Sequence, residues 1–163
     1  VASLAGIHSG ESGIIISLFF LAIMAPGFML NRIIAIFGRM VNLWSLVAMS
    51  VGLLLMSLTH PSATTLTIGA ILTGLGYGVM QPIIYDKAAT NAPPHLATLA
   101  LSLVMAVNYA AILIAPFLID GIDHLFHVTS HRFAYAANGA ITLLLAITAA
   151  ILYRRNRVLG SDD

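Results

Sequence analysis

The chain contains no cysteine in 163 residues. Disulfide staples and thiolate metal sites are therefore excluded. Charge is almost as scarce, at 8% of the residues, where soluble domains carry about 25%. The seven fixed cations do not cluster into a basic face, so a nucleic-acid footprint is missing. The stretch from Val1 to Gly13 lacks the basic n-region of a signal peptide. No charged side chain and no histidine falls in the middle of an apolar stretch. Proton relays inside a membrane need ionisable groups at depth, and these residues supply none. A membrane-embedded enzyme would need polar catalytic groups converging at one depth, and no Ser–His or metal-ligand set lies inside the apolar stretches.

What the chain has in excess is apolar sequence: 60% of residues are hydrophobic and mean hydropathy is +0.99. No soluble core of this length could hide so much apolar surface. Five stretches carry it, at about Gly13–Leu30, Met40–Leu58, Leu66–Tyr85, Leu96–Ile119 and Phe133–Tyr153. A helix needs roughly 20 apolar residues to cross about 30 Å of hydrocarbon. Open strands would leave backbone groups unsatisfied in lipid. The expected fold is thus an all-α membrane protein with five transmembrane helices.

The gaps give an orientation. Arg32 and Arg39 lie in the first gap and Lys87 in the third, while Arg154, Arg155 and Arg157 lie in the tail. These places share one side of the membrane and hold six of the seven cations. Fixed cations near span ends stay in the cytoplasm, so the C-terminus is expected inside and Val1 outside. Residues 1–12 then read as an extracytoplasmic loop or the end of a missing helix, residues 13–153 as the membrane portion and residues 154–163 as a cytoplasmic tail. A chain starting outside without a signal peptide and without Met suggests an absent upstream crossing.

Few residues inside the spans can carry chemistry. Gly74, Gly76 and Gly78 interrupt the third span, which also holds Pro82. Each glycine costs a helix about 1 kcal/mol relative to Ala, and Pro82 removes a backbone hydrogen bond. Gly74 and Gly78 form a GxxxG pair that lets another helix approach closely. The set reads either as packing or as a conformational hinge, and the two are compatible. Tyr77 and Gln81 share a face of the same helix, and Asn108 with Tyr109 lies near the middle of the fourth span, one turn from Met105. Polar groups facing lipid are costly, so these side chains either join helices or line a solute path. Phe19, Phe20, Met24 and Phe28 in the first span suit core, lipid or an apolar pocket. Trp44 reads as an interfacial anchor. Asp86 and Lys87 suggest an interfacial charge pair. Asp120, His124, His127 and His131 would share one helical face and could ligate zinc, but Val128-Thr129-Ser130 is poor helix sequence and no metal site is expected.

Two motifs and the order of spans carry a family resemblance. Phe37-Gly38-Arg39 resembles the short basic loop of major facilitator superfamily transporters, although Ala35 and Met40 stand where an acidic and a basic residue are usual. The run from Gly74 to Pro82 resembles the glycine-rich tenth helix of bacterial efflux-type members. The whole chain resembles helices eight to twelve of that twelve-helix fold. The resemblance implies transport of a small organic solute by alternating access, efflux with the proton as coupling ion, and partnership with a missing N-terminal helix bundle. It also implies that the tenth and eleventh helices line a central cavity, which makes Tyr77, Gln81, Met105, Asn108 and Tyr109 candidate substrate contacts. Uptake of a sugar or organic acid, or a truncated remnant that transports nothing, are the alternatives. No cofactor is expected, and the protein is expected in the cell membrane of a bacterium.

Overall fold

The computed structural model describes residues 9–58, 62–126 and 132–159. They form five α-helices: α1 (Ser9–Phe37), α2 (Val41–Met56), α3 (Ala63–Asn91), α4 (Ala97–Phe126) and α5 (Arg132–Leu159). No strand occurs among the described residues. Four of the helices are long and apolar enough to cross a membrane. The exception is α2, whose 16 residues span about 24 Å at 1.5 Å per residue. It is shorter than the expected Met40–Leu58 because Gly38–Met40 is spent on a 3-10 turn and the chain leaves the helix at Ser57. Short apolar helices are accommodated by flanking residues that reach to the interface. Trp44, half exposed one turn into α2, is placed to do this, and its ring lies 5.9 Å from that of Phe37.

The other helices outrun their apolar stretches. α1 continues through Asn31 and Arg32, and α4 continues through Asp120. Backbone hydrogen bonding does not stop where hydrocarbon stops. Local chemistry marks the true ends. Gly38 reverses the chain between α1 and α2 with φ of 52°, a left-handed conformation costly to any residue with a Cβ. Ser62 caps α3 by accepting a 3.1 Å hydrogen bond from the Thr65 amide, the usual service of an N-cap serine. Pro93 and Pro94 separate α3 from α4. Pro26, Pro82 and Pro116 sit inside helices.

The hub of the fold is α3, which packs on α1 and α2 and more lightly on α4. Its glycines make this possible by facing two ways. A Cβ on Gly74 would lie 2.7 Å from the Phe19 carbonyl and 2.9 Å from the Ala22 Cβ, and one on Gly78 would strike the Ile23 carbonyl. These contacts advance together along both chains, so α1 and α3 run parallel. A Cβ on Gly76 would lie 2.6 Å from the Ser45 carbonyl, and one on Gly69 would lie 2.7 Å from the Gly52 carbonyl. Here the numbers run oppositely, so α2 is antiparallel to α3. Gly52 reciprocates: its own Cβ would meet the Gly69 carbonyl at 2.5 Å. In lipid, helices gain little from the hydrophobic effect and associate by such close backbone packing.

The outer face of α2 receives α5. Ser50, fully buried, donates a 3.0 Å hydrogen bond to the Gly139 carbonyl. Toward the end where α3 begins, Ile15, Met56, Leu66 and Ala70 form a buried cluster that Phe19 and Tyr135 flank. Phe20, Met24 and Phe28 point outward. Nothing in the apolar window of α4 is buried.

Candidate functional site

Tyr77 and Asn108 are the central residues of the 63–91 and 94–122 spans. Each therefore lies at the centre of its apolar span. The structure brings them together with Gln81 around one cavity of about 220 Å³ between α2, α3 and α4. α2 contributes Leu46 and Met49, α3 adds Met80, Ile84 and Tyr85, and α4 adds Val104. The cavity extends from Tyr77 past Gln81 to Tyr85, about 12 Å along the helix axis at 1.5 Å per residue.

Helical spacing explains the grouping. Tyr77, Gln81 and Tyr85 fall at i, i+4 and i+8 on α3, and Val104 and Asn108 at i and i+4 on α4. Such positions stack on one face. Gln81 Nε2 donates a 2.9 Å hydrogen bond to Tyr85 Oη. This bond holds both side chains against the same wall and leaves the Gln81 carbonyl oxygen and the Tyr85 hydroxyl proton for another partner. Asn108 has no hydrogen-bond partner among the described residues. Tyr85 was not among the residues singled out in the sequence, because it stands at the apparent end of the third apolar stretch. The four-residue spacing from Gln81 is the signal that could have found it.

The other candidates are placed differently. Met105 and Tyr109 lie next to Val104 and Asn108 but a further step around α4, so they do not line this cavity. Met105 is 36% exposed and Tyr109 67%. Gly74, Gly76 and Gly78 lie in the tight crossings with α1 and α2. Gly76 also borders a mainly apolar cavity of about 300 Å³, walled by Pro26, Phe37, Trp44 and Ser45 among others. Pro82 borders a third cavity, of about 660 Å³, at the end where α3 finishes, together with Asn31, Asn42, Asp86 and Lys87. Asp86 and Lys87 are both exposed there and form no ion pair with each other, contrary to the expectation from their adjacency. Asn42 Oδ1 is buried without a partner.

Asp120 and His124 are exposed on the last turns of α4, whereas His127 and His131 lie outside the described residues. Among the described residues no group of three or more His, Cys, Asp or Glu side chains could hold a metal ion.

Searches of curated proteins and of solved structures gave no match. The family model described as "Major Facilitator Superfamily" matches residues 2–162, nearly the full chain, and the protein therefore belongs to the Major Facilitator Superfamily of multi-pass membrane transporters.

Proposed function

We propose that this chain is the C-terminal portion of a proton-coupled exporter of small organic compounds, comprising the eighth to twelfth helices. The observation that carries the reading is the cavity where Tyr77, Gln81 and Asn108 meet at the centre of two apolar spans. In a lipid-filled setting an unpartnered amide at that depth is costly. A water-filled or solute-filled cavity removes the cost. The absent partner is an N-terminal helix bundle, and alternating access is a rocking of the two bundles about the midplane site. Met105 and Tyr109, exposed beside Asn108, are free to meet solute from the opposite half.

In this reading α1, α2 and α3 move together, because their backbones touch at Gly52, Gly69, Gly74, Gly76 and Gly78. The hinge role belongs to the stretch from these glycines to Pro82, where the helix loses one backbone donor and borders the 660 Å³ cavity. The end that carries Arg32, Lys87, Arg154 and Arg155 faces the cytoplasm of a bacterial cell. The coupling carboxylate or histidine is supplied by the other half.

The test is transport by the full-length protein in inverted membrane vesicles. Solute uptake into vesicles with an acidic lumen, abolished by a protonophore, is the expected result. Accumulation that ignores the pH gradient removes proton coupling. Accumulation only with the gradient reversed makes the protein an importer.

A further inference from the structure

We propose that the crevice between α1, α2 and α3 seats one acyl chain of an anionic phospholipid, with the phosphate drawn to the cationic turn between α1 and α2. The site is separate from the solute cavity. Leu75, Gly76 and Val79 of α3 line the crevice, whereas Tyr77, Gln81 and Tyr85 of the same helix line the solute cavity. At 3.6 residues per turn these two sets fall on opposite sides of α3. The crevice therefore turns away from the solute path and toward lipid. Of its lining residues, Trp44, Phe37 and Leu75 remain 53%, 39% and 37% exposed, so it opens on the surface.

Shape, lining and charge carry the inference. Along α1 the crevice runs from Pro26 to Phe37, about 16 Å at 1.5 Å per residue. That is about half of the roughly 30 Å of hydrocarbon, the depth of one leaflet. A volume of about 300 Å³ spread over this length leaves width for a single chain. The lining asks for no polar filling. Its one hydroxyl, on Ser45, is spent on the Val41 carbonyl at 2.9 Å. Apolar cavities do not hold water, so hydrocarbon is the filling that the surroundings supply. Trp44 supplies the ring that settles at headgroup level. Charge then selects the headgroup. Arg39 stands in the Gly38–Met40 turn, between the lining residues Phe37 and Val41. Arg32 precedes the lining residue Ile33, and Lys87 lies at the same end of the fold. Asp86 is the only acidic residue at that end of α1, α2 and α3. Cations near the membrane surface attract anionic lipid.

The full-length protein in liposomes, with Trp44 as its sole tryptophan, provides the test. Bromine on an acyl chain quenches indole fluorescence on contact, so it reports a chain lying beside Trp44. Phosphatidylglycerol and phosphatidylcholine with the same brominated chains differ in headgroup charge. Half-maximal quenching is expected at a roughly five-fold lower mole fraction of the brominated phosphatidylglycerol. Arg39→Gln is expected to erase that preference. Ala48→Phe, which fills the crevice, is expected to leave only the weak, unselective quenching of a tryptophan at a lipid surface. Equal quenching by the two lipids in the parent protein overturns the proposal, as does a preference that survives either substitution. Quenching by neither lipid overturns it as well, because something other than lipid then covers Trp44. Ala48→Leu is the milder filling variant, and the comparison of the two lipids in the parent protein decides the matter even if no variant folds.

Discussion

α3 and α4 differ in length by one residue and cross the same thickness of hydrocarbon, yet they are held in opposite ways. α3 is the less apolar of the two, with 39% of its apolar window buried; α4 is the more apolar, with none buried. In a soluble protein the order would be reversed. Lipid tails are as apolar as leucine, so hydrophobicity does not draw one helix onto another. What draws α3 into the centre is the lack of side chains at Gly69, Gly74, Gly76 and Gly78, which lets neighbouring backbones touch. α4 offers no such surface. Its bulky Leu99, Leu103, Val107 and Leu113 stand outward, and it meets the rest of the fold mainly across the cavity that holds Asn108. One helix is built to be gripped, and the other to close one side of a space.

Substitutions can break this contrast. The largest effect is expected at Gly78, where an added Cβ meets the Ile23 backbone, which cannot give way. Gly78→Leu should destabilise the protein by about 3 kcal/mol or more, read as unfolding in mixed detergent micelles. Ala106→Leu on the exposed surface of α4 should change stability by less than about 0.5 kcal/mol. Equal losses at the two positions would mean that α4 is packed as tightly as α3.

Next in size is Ser50→Ala, which removes the hydrogen bond from α2 to Gly139 on α5. The buried Gly139 carbonyl then loses its side-chain partner, at a cost of about 1 kcal/mol. Ser102→Ala on α4 is the matched control. Its hydroxyl bonds only to the Thr98 carbonyl one turn back, and its loss should cost no more than a few tenths of a kcal/mol. Gly38→Ala probes the turn alone. There is open space around that position, so the expected loss of about 1 kcal/mol comes from φ and not from contact. Asn108→Leu should change stability by no more than about 0.5 kcal/mol, because no protein partner among the described residues is lost. Transport by the full-length protein should nonetheless fall by tenfold or more. A fall in both together would make Asn108 a structural residue.

Much of this was legible in the residues. The centres of all five helices follow from apolar length, and the central depth of Tyr77 and Asn108 follows from counting along the spans. The GxxxG pair at Gly74 and Gly78 announced a close crossing, which the structure places against α1. Helix ends were less legible. Hydropathy reports where hydrocarbon ends, whereas α1 and α4 keep their hydrogen bonds into the polar zone past Arg32 and Asp120. The shortness of α2 was only partly legible: Gly38 and Arg39 read as the gap, but Met40 at one end and Ser57 at the other, both counted with the apolar stretch, fall outside the helix. Rotation about a helix axis was the hardest to read. Met105 and Tyr109 looked equivalent to Asn108 by depth, but only the neighbours of α4 decide which side faces the cavity. The partnership of Gly52 with Gly69 was invisible for the same reason: nothing in either local sequence points to the other.

The central claim is that Asn108 faces a water-accessible solute cavity while the outward face of α4 meets lipid. Single cysteines at positions 108 and 103 in the full-length protein test it, with a membrane-impermeant maleimide applied from each side in turn. Leu103 is 63% exposed on α4 and lines none of the cavities described. The expected result is labelling of Asn108→Cys from at least one side, slowed by transported solute, with Leu103→Cys unreactive from both. An Asn108→Cys that resists labelling from both sides, or that reacts no faster than Leu103→Cys, would contradict the claim.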